Sequence, residues 1–72
     1  MSPIKKDSQW LDNKGHICTV LTVPEDQDDL TKMIQYQVEL QENNKKEIRR
    51  ELKSFPMYRF LEDMKPLNDA MN

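Results

Sequence analysis

The sequence lacks several features on which small proteins and enzymes commonly depend. It contains one cysteine, Cys18, and one glycine, Gly15, in 72 residues. A single cysteine excludes an internal disulfide, and a single glycine excludes the glycine-rich loops that bind phosphates. The only histidine, His16, cannot complete with Cys18 the set of about four ligands that a structural zinc ion needs. We therefore expect no cofactor and no metal, and we predict that the chain is not an enzyme.

Long apolar runs are also missing from the sequence. No stretch approaches the roughly 18 residues of a membrane span, and the start, MSPIKKDSQW, has no apolar core of the kind found in secretory signals. A cytoplasmic location is therefore expected. A lone, reduced cysteine suits that compartment.

The small size of the chain leaves few ways of building a stable core. Residues 1–72 fit one small domain, and a domain of this size hides only about 60% of the surface that its unfolded chain exposes. Small domains usually add disulfides, a metal or a partner chain, and only the last remains here. We therefore predict a homodimer, with the parallel and antiparallel arrangements both open.

The residues around the glycine predict a β-hairpin over about 4–23. The run DNKG is typical of a type I turn followed by a left-handed residue. The run HICTVLTV that follows is rich in β-branched residues and is the strongest strand signal in the chain. Pairing about the turn sets Leu11 opposite Ile17 and Trp10 opposite Cys18. Both faces then carry apolar residues: Leu11, Ile17, Thr19, Leu21 and Val23 on one, and Trp10, Cys18 and Val20 on the other.

A long helix is predicted over about 26–53. Pro24 ends the strand, and the acidic run at 25–29 offers capping side chains that match the helix dipole. Apolar residues then recur at spacings of four and three, which is the helical period. Residues 42–45 fit either a continuous helix or a turn between antiparallel helices, and we favour continuity because no glycine or proline interrupts them. The predicted stripe is Leu30, Ile34, Val38, Gln41, Lys45, Ile48, Leu52 and Phe55.

A second, short helix is predicted over about 55–64, before a frayed tail at 66–72. Pro56 suits a first helical turn capped by Ser54, and Pro66 stops the helix. This helix is apolar around most of its circumference and therefore needs burial on more than one side. Together these elements predict an α+β fold: an N-terminal β-hairpin, a long α-helix and a short apolar C-terminal helix.

Two clusters of reactive side chains invite a chemical interpretation, and their patterns do not support it. His16 and Cys18 share a strand face, but a nucleophilic pair also needs an orienting third group and a cleft. We assign the thiol to packing. The acidic run at 25–29 lacks the spacing of a calcium-binding loop, so we interpret it as a helix start.

Five basic residues predict a phosphate-contacting face if the long helix forms. At helical spacing they lie on one face, where they would follow a nucleic-acid backbone. The interleaved Glu47 and Glu51 and the net charge of −2 favour a solvated helix face instead. The candidates for phosphate contact are Lys45, Lys46, Arg49, Arg50 and Lys53.

The run FPMYRFL at 55–61 concentrates the residue types that are enriched at protein interfaces. Met57, Tyr58 and Phe60 cannot all point into a core, so we predict that they contact a partner together with Arg59. The predicted function is a small non-enzymatic protein that binds, and so regulates or inhibits, a larger protein. Its size suggests a phage or mobile-element accessory protein. The alternative is a nucleic-acid-binding accessory protein that uses the basic helix face.

Overall fold

The fold is built on one antiparallel sheet. The computed structural model describes residues 4–41 and 47–67. The described strands lie side by side in the order β4-β3-β2-β1-β5, and every neighbouring pair is antiparallel. The elements are β1 (Gln9–Leu11), β2 (Ile17–Thr22), β3 (Met33–Gln41), β4 (Ile48–Pro56), α1 (Met57–Asp63) and β5 (Lys65–Pro66).

The predicted N-terminal hairpin is confirmed in its register. Trp10 pairs with Cys18 and Leu11 pairs with Ile17 across β1 and β2. Gly15 has a φ of 85°, the left-handed conformation that the predicted three-residue loop requires. The turn residues and the β-branched run were therefore sufficient to define this part of the sheet.

The predicted long helix is wrong, because its residues form β3 and β4. Ile34 and Val38 are four residues apart, a spacing shared by one face of a helix and one face of a strand. Tyr36 lies between them and would point to the opposite side of a helix, yet it is only 1% exposed and belongs to the same core. The alternation of apolar and polar residues along β3 is therefore the period of a strand.

The two interpretations of residues 42–45 concern positions outside the described residues. On either side of them, Gln41 and Ile48 are paired across antiparallel strands, so the chain reverses direction between β3 and β4. The described part of the chain is predominantly β-sheet with one short helix, and the predicted α+β architecture with a long helix is incorrect.

The acidic run at 25–29 forms a loop and not a helix start. The Asp26 carboxylate accepts a hydrogen bond from the N–H of Asp28 at 3.0 Å. The Asp29 carboxylate accepts bonds from the Thr31 hydroxyl at 2.6 Å and the Thr31 N–H at 3.1 Å. Such local bonds are the means by which aspartate favours turns over helices. The same two bonds, led by that of the hydroxyl, lower the pKa of Asp29.

The predicted short helix is confirmed as α1, but it is capped differently from the prediction. Ser54, the predicted cap, lies within β4, and no side chain among residues 4–41 and 47–67 caps the helix. Its first N–H groups bond instead to main-chain oxygens of a distant loop. Met57 and Tyr58 donate at 2.9 Å and 3.0 Å to the carbonyls of Lys32 and Leu30, respectively.

The predicted tail at 66–72 begins inside a strand. Lys65–Pro66 forms β5 and pairs with β1, where Pro66 lies opposite Trp10. The N–H of Leu67 extends this pairing by donating to the carbonyl of Gln9 at 3.1 Å. The helix α1 thus carries the chain from the β4 edge of the sheet back to β1, and residues 68–72 lie outside the described part.

The core lies between one face of the sheet and α1. Of the two faces predicted for the hairpin, the one with Trp10, Cys18 and Val20 is covered, and Leu11, Ile17 and Leu21 on the other are partly exposed. Four aromatic rings form a continuous row across the core. Their centroids are separated by 5.1, 5.2 and 5.8 Å in the order Trp10, Phe60, Tyr36 and Phe55.

Candidate functional site

The aromatic segment divides into core and surface residues. Met57 and Phe60 are 1% and 0% exposed, so both side chains belong to the core of the folded chain and not to its surface. They are three positions apart and share the helix face that packs on the sheet. Tyr58 is 50% exposed and the Arg59 side chain 60% exposed. Only Tyr58 and Arg59, of the four predicted contact residues, are presented to solvent.

Tyr58 belongs to an exposed apolar group that we name the α1 patch, formed by Leu30, Tyr58 and Leu61. Tyr58 and Leu61 are three residues apart and lie on the same side of the helix. The backbone of Leu30 lies beside the start of the helix, because its carbonyl accepts the N–H of Tyr58. Leu30 and Leu61 are 37% and 36% exposed. The sequence could have revealed Leu61 by its helical spacing from Tyr58, whereas Leu30 required the fold.

Arg59 lies beside the α1 patch and is already engaged within the chain. Its guanidinium carbon is 5.2 Å from the centre of the Phe55 ring, within the range of a cation–π contact. Its Nε is 3.8 Å from a carboxylate oxygen of Asp63, one helical turn further on. These contacts hold the arginine side chain along the helix while leaving most of it exposed.

A groove of about 370 Å³ opens on the core side of the sheet, next to α1. The residues Tyr36, Val38 and Leu40 of β3 line it together with the hairpin turn and the end of the helix. The Tyr36 hydroxyl makes no hydrogen bond among the described residues. Every buried side-chain oxygen of these residues has a hydrogen-bond partner, so the hydroxyl is not a buried atom and must reach the groove. Burial raises the pKa of Tyr36 to about 12, which keeps the hydroxyl protonated.

The acidic groups that line the groove already have basic neighbours. Asp12 lies 3.3 Å from the imidazole of His16, Asp63 lies near Arg59, and Glu51 lies 3.1 Å from Arg49. Within the described residues, by contrast, no carboxylate lies within 4 Å of Lys14 or Lys53, which also line the groove. The groove is therefore lined by charged side chains of both signs.

The pair His16 and Cys18 does not form a nucleophilic site. The two residues share a strand face, as predicted, but the thiol donates to the His16 main-chain carbonyl at 3.7 Å and not to the imidazole. Cys18 is fully buried. Burial, reinforced by the Asp12 carboxylate, raises the pKa of the thiol to about 11. A thiol that stays protonated and enclosed is a packing group and a poor nucleophile.

The predicted phosphate-contacting face is divided by the strand. Arg49 and Lys53 are opposite Leu40 and Tyr36 on the groove side, and Arg50 is on the other side of β4. Arg50 also lies 3.9 Å from Glu39 on the neighbouring strand. Lys45 and Lys46 lie outside the described residues. The prediction that one helix face carries all of these residues is therefore wrong. Arg49 and Lys53 share one face of the sheet, and Arg50 lies on the other.

The described residues contain neither a metal-binding cluster nor a membrane-spanning helix. No group of three or more potential metal-ligating side chains occurs in residues 4–41 and 47–67. None of the helical residues in these ranges forms a segment long and apolar enough to cross a membrane. Comparisons with protein-family models, curated proteins and solved structures gave no significant match.

Proposed function

We propose that this protein is a small non-enzymatic binding protein that attaches to a larger protein through the α1 patch and so regulates or inhibits it. A single observation carries the proposal. Two large apolar side chains, Tyr58 and Leu61, are exposed on the side of α1 away from the buried Met57 and Phe60, and the exposed Leu30 lies in the loop whose backbone bonds to the start of this helix. A clustered apolar surface of this kind typically marks an interaction site.

The residue types of the α1 patch agree with a protein partner. Tyrosine and arginine are the side chains most often responsible for binding energy at protein interfaces. Tyr58 offers a large ring with a hydroxyl, and Arg59 lies directly beside it along the helix. Because Arg59 is already close to Asp63, it contributes a partly neutralised, flat surface to the contact. The best-fitting partner therefore has an apolar cleft for the tyrosine ring.

The local backbone makes the patch rigid before binding. The N–H groups of Met57 and Tyr58 bond to carbonyls in the loop that carries Leu30, so the helix and this loop are held together. The buried face of α1 packs on the sheet through Phe60, in edge-to-face contact with Tyr36 and Trp10. Surfaces that are already ordered lose less conformational entropy on binding.

The proposal is tested with the double variant Tyr58→Ala/Leu61→Ala and the control Ile48→Ala. All three side chains are exposed, so the melting temperature should change little in either variant. Wild type and both variants serve as baits in a lysate of the native host. The partner is then purified and titrated by isothermal calorimetry. We expect the double variant to bind at least about 30-fold more weakly, the equivalent of about 2 kcal/mol, and the control to bind normally.

Two outcomes would contradict this function. Equal binding by wild type and the double variant would place the contact elsewhere on the molecule. Binding that disappears after nuclease treatment, or that falls steeply with salt concentration, would indicate nucleic acid as the partner.

We also propose a cytoplasmic location, supported by the protonated, unpaired thiol of Cys18.

A further inference from the structure

The strand β4 has an open edge in the described part of the sheet. It is the terminal strand in the order β4-β3-β2-β1-β5 and pairs only with β3. The bond from the N–H of Met57 to the carbonyl of Lys32 continues the register of this pairing. In an antiparallel ladder, residues that bond to one neighbour alternate with residues that face away. Odd-numbered residues of β4 therefore bond to β3, and even-numbered residues present their main-chain groups to the open edge.

The residues at the open edge suit the addition of another strand. Arg50, Leu52 and Ser54 direct both an N–H and a carbonyl outwards, and Pro56 directs a carbonyl outwards at the position where its missing N–H costs no bond to β3. Leu52 is 75% exposed, the highest value among the exposed large apolar side chains. An unpaired edge strand of nine residues is a ready template for a further strand.

We propose that the occupant of this edge is β4 of a second copy of the chain, paired antiparallel about a two-fold axis at Leu52. Leu52 is the midpoint of Ile48–Pro56, so this register overlaps the whole strand. The two Leu52 side chains meet at the axis and exchange main-chain hydrogen bonds. Glu51 of each copy lies opposite Lys53 of the other, which gives two pairs of opposite charge. Lys53 has no carboxylate within 4 Å among the described residues of its own chain.

Neighbouring registers are less favourable. An axis at Arg50 places two arginines opposite each other and shortens the overlap, although it pairs Arg49 with Glu51. An axis at Ser54 places Lys53 opposite Phe55 and leaves Glu51 with no basic residue opposite it in the second copy. Axes at Glu51 or Lys53 would place like charges opposite each other at the centre, which is destabilising. Of these registers, only the one at Leu52 pairs Glu51 with Lys53 and also places no like charges opposite each other.

The pairing has a structural consequence for the groove. Glu51 and Lys53 line the groove near the β4 edge. In the dimer, Glu51 of each copy faces Lys53 of the other copy across the axis. The two sheets become one sheet with two adjoining grooves on the same face. This inference does not rest on the α1 patch, which belongs to the helix and to the loop before β3.

The test is a charge-reversal cycle followed by sedimentation equilibrium. Wild type should sediment as a dimer of the 8.6 kDa chain. E51K places lysine opposite lysine twice, and K53E places glutamate opposite glutamate twice, so each should weaken the dimer about tenfold or more. The double variant E51K/K53E restores opposite charges and should dimerise like wild type. An equimolar mixture of E51K and K53E should form a heterodimer. E62K, which makes the same charge change on the exposed side of α1, is the control and should dimerise normally.

Each result decides for or against the inference. A wild-type protein that remains monomeric at about 1 mM, well above a micromolar dissociation constant, would overturn it. Dimers that persist in both single variants would place the interface elsewhere. Single variants that are monomeric without recovery in the double variant or in the mixture would overturn the register at Leu52, because only that register restores both pairs. Circular dichroism establishes that each variant is folded, and the mixture provides the answer should the double variant be unfolded.

Discussion

β3 and β4 have the same length and are paired along their entire length, yet β3 contributes buried side chains to the core, whereas the side chains of β4 are largely exposed. β3 buries Ile34, Tyr36 and Val38 to 3% exposure or less. β4 buries none of its nine residues, and its central Leu52 is 75% exposed. Opposite residues share a face of the sheet, so alternation alone does not explain the difference. The inner strand supplies the core, and the outer strand supplies surface.

The largest expected contrast is between Tyr36 and its cross-strand partner Lys53. Tyr36→Ala removes a ring that contacts Phe55 and Phe60, and we expect it to cost about 3 to 5 kcal/mol of unfolding free energy. Lys53→Ala should change that free energy by less than about 0.5 kcal/mol. Urea denaturation followed by circular dichroism, at a concentration where the chain is monomeric, measures both. Similar losses in the two variants would refute the division between an inner core strand and an outer surface strand.

A smaller contrast should exist within β4 itself. Glu51→Pro removes an N–H that bonds to β3, and we expect a loss of about 2 kcal/mol. Arg50→Pro removes an N–H that faces the open edge, and its cost should be well under half of that. Thermal denaturation at a concentration where the chain is monomeric gives the comparison. A larger loss for Arg50→Pro would reverse the assignment of inward and outward positions.

The smallest expected contrast is between wild type and Cys18→Ala in how the free energy of unfolding changes at alkaline pH. The Cys18 thiol has a pKa of 9.0 in its unperturbed state and about 11 in the folded chain, because burial disfavours the thiolate. Its contribution is fully present below pH 9 and is lost as the pH rises towards 11, since the unfolded chain releases its proton first. We expect a loss of about 1 kcal/mol between pH 9 and pH 10. The Cys18→Ala variant should lose less over the same interval. If the free energy of unfolding falls equally with pH in wild type and variant, the Cys18 thiol is not responsible for the loss of stability.

The sequence was sufficient for elements with strong local signals. The glycine turn and the β-branched run defined the register of β1 and β2, and Pro56 with its apolar neighbours predicted α1. The long helix failed because Ile34, Val38, Ile48 and Leu52 form pairs four residues apart, a spacing common to both periods. In β3 the position of Tyr36 contained the information that distinguishes strand from helix.

The candidate surfaces were less accessible to sequence reasoning. Tyr58 and Phe60 are both aromatic and two residues apart, and only the docking of α1 on the sheet shows that Phe60 is the buried one. The groove and the open edge depend on the order of the strands, which is a property of long-range pairing. Composition drew attention to the segment at 55–61, but it did not separate the packing residues from the exposed ones.

The carbonyl groups that cap α1 also bear on how the chain folds. A helix of seven residues is too short to persist alone in water, and the acceptors of its first N–H groups, Lys32 and Leu30, are separated from it in the sequence by β3 and β4. The helix can therefore become stable only after those two strands have aligned. In refolding experiments, the helical signal and the fluorescence of Trp10, whose ring contacts Phe60, should appear at one rate, that of sheet assembly.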